Sequence, residues 1–239
     1  MKPIQIIAIL ISILQLGFSN PVDAQNNDLS SKEKSFISIA SLTAKGDLDK
    51  LKPVLAEGLE NGLTVNQIKE ALVHLYAYCG FPRSLRGLQT FIKVLDERKA
   101  KGIQDKWGAE ASPIEDTRPK YDRGKEVLEK LVQMKLDGPK ADYARFSPII
   151  EVFLKEHLFA DIFERDVLNY QQRELVTVSV LITIGDVEPM LRSHMNICLK
   201  QGITPVQLEQ VIETVKPNIN RKKKKSARNV LTELLKNKL

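Results

Sequence analysis

Apolar residues recur at spacings of three and four through most of the chain, and no stretch alternates apolar and polar with a period of two. One stripe runs through Phe36, Ile37, Ala40 and Leu42, the next through Leu48, Leu51, Leu55 and Leu59. Ile68, Leu72 and Leu75 follow, then Leu85, Leu88, Ile92 and Leu95. Each set lies along one face of a helix. The breaks agree with that reading. Ser30 with Glu33, and Thr64 with Gln67, have the spacing of capping boxes. Gly46, Asn61-Gly62 and Gly80 close helices, and Pro82 suits the first turn of the next one. Residues 25–33 read as a flexible start, and 99–120, with Gly102, Gly108, Pro113 and Pro119, as a linker. Helical spacing returns at Val127, Leu128, Leu131 and Val132, and again after Ser147-Pro148. The pattern predicts an all-α protein, a bundle of amphipathic helices.

The bundle is written twice. "LKPVLAEGLENGLTVNQIKEAL", from Leu51, aligns without a gap on "LRSHMNICLKQGITPVQLEQVI", from Leu191. Leu51 meets Leu191, Leu59 meets Leu199, and Gly62-Leu63-Thr64 with Gln67 meets Gly202-Ile203-Thr204 with Gln207. Helical propensity alone reproduces a leucine stripe, but not Gly-x-Thr-x-x-Gln at a fixed offset. The chain reads as a tandem duplication, with one repeat over 34–98 and the other within 121–239.

"NGLTVNQIKEALVHLYAYCGFPRS" and "LNYQQRELVTVSVLITIGDVEPMLRSH" resemble the carboxymuconolactone decarboxylase-like family, whose superfamily also holds alkylhydroperoxidase D-type enzymes. The glycine, the capping threonine, Glu-x-x-x-His, Tyr-x-Gly-x-Pro and Arg-Glu-Leu occur in order over most of 34–98 and 157–215. The resemblance implies a compact helical fold that oligomerises, with sites near subunit interfaces, and no cofactor. A tandem chain can build the equivalent contact between its own halves.

The two copies have lost different parts. The first keeps Glu70, His74, Tyr78, Gly80 and Pro82, but has Ser35 and Val54 where the second has Glu174 and His194. The second keeps Arg173-Glu174-Leu175 and His194, but has "KPNINRKKKK" in place of "YAYCGFPRS". One complete site is therefore expected, assembled from both copies. Glu174 and His194 form the candidate catalytic pair, since a carboxylate orients an imidazole and raises its basicity. Arg173 or Arg192 are candidates to hold a substrate carboxylate by a bidentate grip. Glu70, His74 and Tyr78, spaced by four on one helix, are candidates to line the pocket. A lone Glu/His pair at that spacing is a weak metal signal, and no metal is expected. His157 reads as structural.

The family's peroxidase branch carries a Cys-x-x-Cys just before the histidine. Here "EPMLRS" precedes His194 and holds no cysteine. A dithiol reaction needs one thiol to attack and another to resolve, so it is disfavoured. Cys79 stays open as a lone redox thiol or as a small apolar residue at a helix junction; Cys198, on the apolar stripe, reads as core. A Cys79–Cys198 disulfide is the less favoured pairing of the two.

Composition changes this picture in two places. Lys2 precedes an apolar run over 4–18, and Val22-Asp23-Ala24 supplies small residues for cleavage. This resembles a secretory signal peptide over 1–24, implying an exported protein, periplasmic or extracellular, with no stable membrane insertion afterwards. The net charge of +6 is concentrated in "RKKKK" at 221–225. The rest is near neutral, which argues against a nucleic-acid-binding face. The run reads as a solvated loop, with an acidic lipid or polymer surface as the functional alternative. The expected partner is a small-molecule substrate. The leading function is a cofactor-free lyase acting on a small carboxylated lactone or oxo acid. The alternatives are an alkylhydroperoxidase-type peroxidase and a non-catalytic scaffold.

Overall fold

The computed structural model describes residues 28–138 and 140–236; the expected signal peptide lies outside them. The described residues form α-helices and no strand. Helix α1 (Ser31–Lys45) starts where the sequence places it. The Ser30 hydroxyl accepts from the Glu33 amide at 3.3 Å, and the Glu33 carboxylate accepts from the Ser30 amide at 2.7 Å. Two amides that have no partner within the helix are thereby satisfied. Gly46 ends α1 in the left-handed region (φ 78°). Asp47 caps α2 (Leu48–Glu60), and the Thr64–Gln67 box opens α3 (Val65–His74). Helix α4 (Tyr76–Ala100) turns sharply at Gly80 (φ 81°, ψ 159°), and Pro82 sits in the first turn of the resumed helix.

An insertion follows. α5 (Lys120–Val132), α6 (Asp142–Phe146) and α7 (Pro148–Val152) lead into a π-helical stretch, Phe153–Ile162. α5 lies tight on that stretch at Gly124, where a Cβ would stand 1.8 Å from the Lys155 carbonyl oxygen. Only glycine fits there. Val127, Leu131, Phe159, Ile162 and Phe163 form a small core with Ile197.

The second copy then runs through α8 (Tyr170–Ile184), α9 (Glu188–Lys200), α10 (Pro205–Val215) and α11 (Arg221–Lys236). Asn169 and Gln172 box α8 as Ser30 and Glu33 box α1, and Thr204–Gln207 repeats Thr64–Gln67. Gly62 and Gly202 have matching φ values of 89° and 90°.

Helices α1 and α8 are buried almost all round and pack against each other at the centre. Each contributes to the other copy's core. Val176 and Val180 of α8 join Leu51, Leu55 and Leu72, while Ile37 of α1 joins Leu208, Val211 and Ile212. A fully buried aliphatic side chain contributes roughly 1.5–3 kcal/mol, so the copies are held together by the same force that holds each one together.

One loop expectation needs correction. Residues 221–225 are the first turns of α11, not a solvated loop. Ala227, Val230, Leu231 and Leu234 are buried, and the lysines find partners: Lys222 on Asp186 at 3.2 Å, Lys224 on Glu213 at 3.1 Å, and Lys223 on the Thr183 carbonyl at 2.7 Å. The segment after α4 has no helix but is fastened along its length. Arg98 grips Asp105, and the amides of Val65 and Asn66 donate to the carbonyls of Lys106 and Trp107 at 3.0 and 2.9 Å. The Ser112 amide donates to Asp166 at 2.8 Å. No helix among the described residues is long and apolar enough to cross a membrane.

Candidate functional site

The central helix α8 carries two adjacent buried charges pointing to different partners. Arg173 and Glu174 are both wholly buried. Burying an ion is costly unless it is paired and hydrogen-bonded, so the partners show what each one does.

Glu174 turns toward α9. Its Oε2 lies 2.8 Å from His194 Nδ1. With a carboxylate as acceptor, Nδ1 carries the hydrogen, and Nε2 is the ring nitrogen turned away from Glu174. Nε2 makes no hydrogen bond with the described residues, and the imidazole retains 14% exposure while the carboxylate has none. The second carboxylate oxygen, Oε1, is buried without a partner.

The first copy supplies the other wall. The turn between Leu75 and Gly80 projects Tyr78 across to α9, with its ring edge-to-face on His194 at 5.6 Å between centroids. Its hydroxyl is buried without a well-formed hydrogen bond, with the Thr177 hydroxyl as its polar neighbour. Burial and the neighbouring Glu174 charge push its pKa above the ordinary phenol range, so it is held protonated.

Arg173 turns toward α3. Its Nη2 donates to Glu70 at 2.8 Å and to the Arg165 carbonyl at 2.6 Å, and its Nη1 faces His74 Nδ1 at 3.3 Å. Arg165 reaches Glu70 from the far side through three bonds of 2.9–3.0 Å. Since Nδ1 of His74 faces a donor, the hydrogen sits on Nε2, which donates to Thr177 Oγ1 at 2.9 Å. Thr177 passes its own hydrogen to the Arg173 carbonyl at 2.9 Å. Burial, with the charges of Arg173 and His194, keeps His74 well below the usual imidazole range and neutral.

The sequence-named residues therefore separate into groups. Glu174, His194 and Tyr78 meet at the seam between copies. Glu70 and His74 lie behind that seam in the ion-pair layer, where their polar atoms are already engaged. Arg173 commits Nη2 to Glu70 and the Arg165 carbonyl and Nη1 to His74, leaving only its buried Nε without a partner. Arg192 is on the α9–α11 surface, paired with Glu233. His157, expected as structural, is half exposed and 3.0 Å from Asp161. Sequence reading missed Arg165 and Thr177. Arg165 lies 95 residues from Glu70, and no local pattern connects them.

At the mirrored position the first copy has no such pair. Ser35 donates to the Ser31 carbonyl at 3.0 Å, and Asn218, in the place of Tyr78, donates to Ser41 at 3.1 Å.

The cysteines are free thiols. Cys79 donates to the Leu75 carbonyl at 3.2 Å, and burial pushes its pKa up to about 11, against a weaker pull from Arg83. Cys198 is buried and lifted well above its ordinary value by burial and the Glu174 charge. A raised pKa leaves roughly one Cys79 thiol in a thousand ionised at pH 8. Alkylation of Cys79 in the folded protein, followed by mass spectrometry, is therefore expected to be slow at pH 7 and to accelerate about tenfold per pH unit toward pH 11. Rapid alkylation at pH 7 would mark it as an activated thiol. Among the described residues, no group of three or more His, Cys, Asp and Glu side chains is placed to hold a metal ion.

Residues 16–91 and 152–233 each match the model of the carboxymuconolactone decarboxylase family, one match over each copy. The chain is also 28% identical over 94 residues to the 4-carboxymuconolactone decarboxylase of Acinetobacter baylyi, an alignment covering 39% of this chain and 69% of that protein. The matched segments span more than half of the sequence and contain the helices that build the seam, so the chain belongs to the carboxymuconolactone decarboxylase family.

Proposed function

We propose that this chain is an exported, cofactor-free acid–base enzyme that decarboxylates a small carboxylated lactone or oxo acid, with Glu174 and His194 handling the proton. The observation that carries this reading is the 2.8 Å contact between His194 Nδ1 and a wholly buried Glu174 carboxylate. Such a carboxylate fixes the ring's tautomer and stabilises the imidazolium. Nε2 remains available to substrate.

The chemistry needs little more. When the substrate's C–CO2 bond breaks, its electron pair passes into the adjacent carbonyl system. The imidazolium then delivers the Nε2 hydrogen to carbon, and solvent restores it. The buried, unpartnered Oε1 of Glu174 suits a polar group of the substrate or a water. The activity for which the Acinetobacter relative is named is of the same class. The peroxidase alternative is weakened by two thiols whose surroundings suppress the thiolate.

The test is Glu174→Gln assayed for CO2 release from 4-carboxymuconolactone. Glutamine preserves the size and one acceptor but cannot stabilise an imidazolium. A fall in kcat of about 10²-fold or more, with little change in KM, is expected. Equal turnover by both proteins, or none by the wild type, overturns the reading.

A further inference from the structure

We infer that Tyr78 is a second catalytic group of this site: its hydroxyl donates a hydrogen bond to the oxygen on which negative charge gathers, while His194 delivers the proton to carbon. This rests on the proposed acid–base reading and assigns the role that reading leaves open, stabilisation of the developing oxyanion.

The geometry isolates the hydroxyl. The Tyr78 ring is clasped by His194 at 5.6 Å and by His74 at 5.4 Å between centroids. Its backbone is pinned as well: the amides of Tyr78 and Cys79 donate to the Leu75 carbonyl at 3.1 and 3.0 Å, and Gly80 breaks the helix just beyond. A buried phenol ordinarily finds a partner within the protein. Here most polar atoms of the charged and titratable groups around it are already committed. Glu174 Oε2 is on His194, Arg173 is on Glu70, and both nitrogens of His74 are engaged. Thr177, the polar neighbour of the Tyr78 hydroxyl, already accepts from His74 and donates to the Arg173 carbonyl. What remains without a partner is one buried donor on Tyr78, one buried acceptor on Glu174 and the buried Nε of Arg173, with the Tyr78 ring and the Glu174 carboxylate both against the His194 imidazole.

That set suits a planar oxyanion flanked by a proton source. As CO2 leaves, the electron pair of the broken C–C bond moves onto the carbonyl oxygen, giving an enolate. The Tyr78 O–H donates to that oxygen without transferring its hydrogen. His194 Nε2–H protonates the carbon, the enolate returns to the carbonyl form, and one solvent proton restores His194. A preorganised donor in a water-poor site is worth about 10²–10³-fold in rate.

The ligand class can be tested without knowing the substrate. A phenolate is a planar, delocalised oxyanion, and 4-nitrophenolate reports its own binding by absorbance. Wild type, Tyr78→Phe, and the exposed control Tyr143→Phe are titrated, with the helical signal and melting temperature of each recorded. Wild type and Tyr143→Phe are expected to bind alike, and Tyr78→Phe at least tenfold more weakly with its fold retained. Equal binding by Tyr78→Phe, or no saturable binding by wild type at millimolar probe, overturns the inference. Turnover of 4-carboxymuconolactone separates the two claims. Loss of turnover in Glu174→Gln but not in Tyr78→Phe removes Tyr78 alone. Phenolate binding that depends on Tyr78, in a protein inert toward the lactone, keeps the donor and removes the substrate.

Discussion

His194→Ala is expected to lower kcat on 4-carboxymuconolactone by about 10²–10⁴-fold, the range typical of a lost general acid. Its substrate KM should move far less, because the ring's hydrogen is used in the transition state and not in binding. The variant also removes the one hydrogen bond that the buried Glu174 carboxylate makes among the described residues, which costs about 1–3 kcal/mol. A rate loss caused by a loosened fold and one caused by a missing acid are distinguishable. Added imidazole restores part of the rate in the second case and leaves the melting temperature unchanged. Unaltered turnover in His194→Ala would remove the seam pair from the chemistry.

The largest loss of stability is expected at Glu70→Ala. Glu70 lies between a wholly buried Arg173 and a part-exposed Arg165, bonded to both. Removing the acid leaves the Arg173 guanidinium uncompensated in the interior, and breaking a buried pair from one side costs about 3–5 kcal/mol. For a chain of this size that is on the order of 10 °C in melting temperature. Arg165→Ala should cost much less, because Arg165 has access to water and Glu70 keeps Arg173. The double variant Glu70→Ala with Arg173→Met should recover much of the loss by removing the stranded charge. Thermal unfolding followed by circular dichroism reads all three, and a Glu70→Ala protein melting within 2–3 °C of wild type would refute the account.

The two buried layers behind these predictions were not equally visible in the sequence. The helix starts at Ser30, Thr64 and Thr204 depend on contacts three residues apart, so spacing alone locates them. Glu174 and His194 became candidates chiefly through the family resemblance, with the comparison of the two copies showing that only the second retains them; neither stands out alone. The Arg165–Glu70–Arg173 layer joins residues about a hundred positions apart. Long-range charge pairing leaves no periodic trace, so Arg173 looked free to bind substrate. The basic run failed for a different reason. Its charges drew attention away from Ala227, Val230, Leu231 and Leu234, whose spacing already marks an amphipathic helix. Lys223 and Lys224 lie on the same helix and reach sideways to partners on the neighbouring helices.

The packing of α1 on α8 has one more implication. Where two identical subunits meet about an axis, each substitution appears on both sides, and a residue that suits one role must tolerate its own reflection. Joining the partners in one polypeptide removes that constraint. Ser35 and Asn218 are free to knit the scaffold while their counterparts Glu174 and Tyr78 remain without full internal partners, so strain and strength are divided between the two faces of a single molecule.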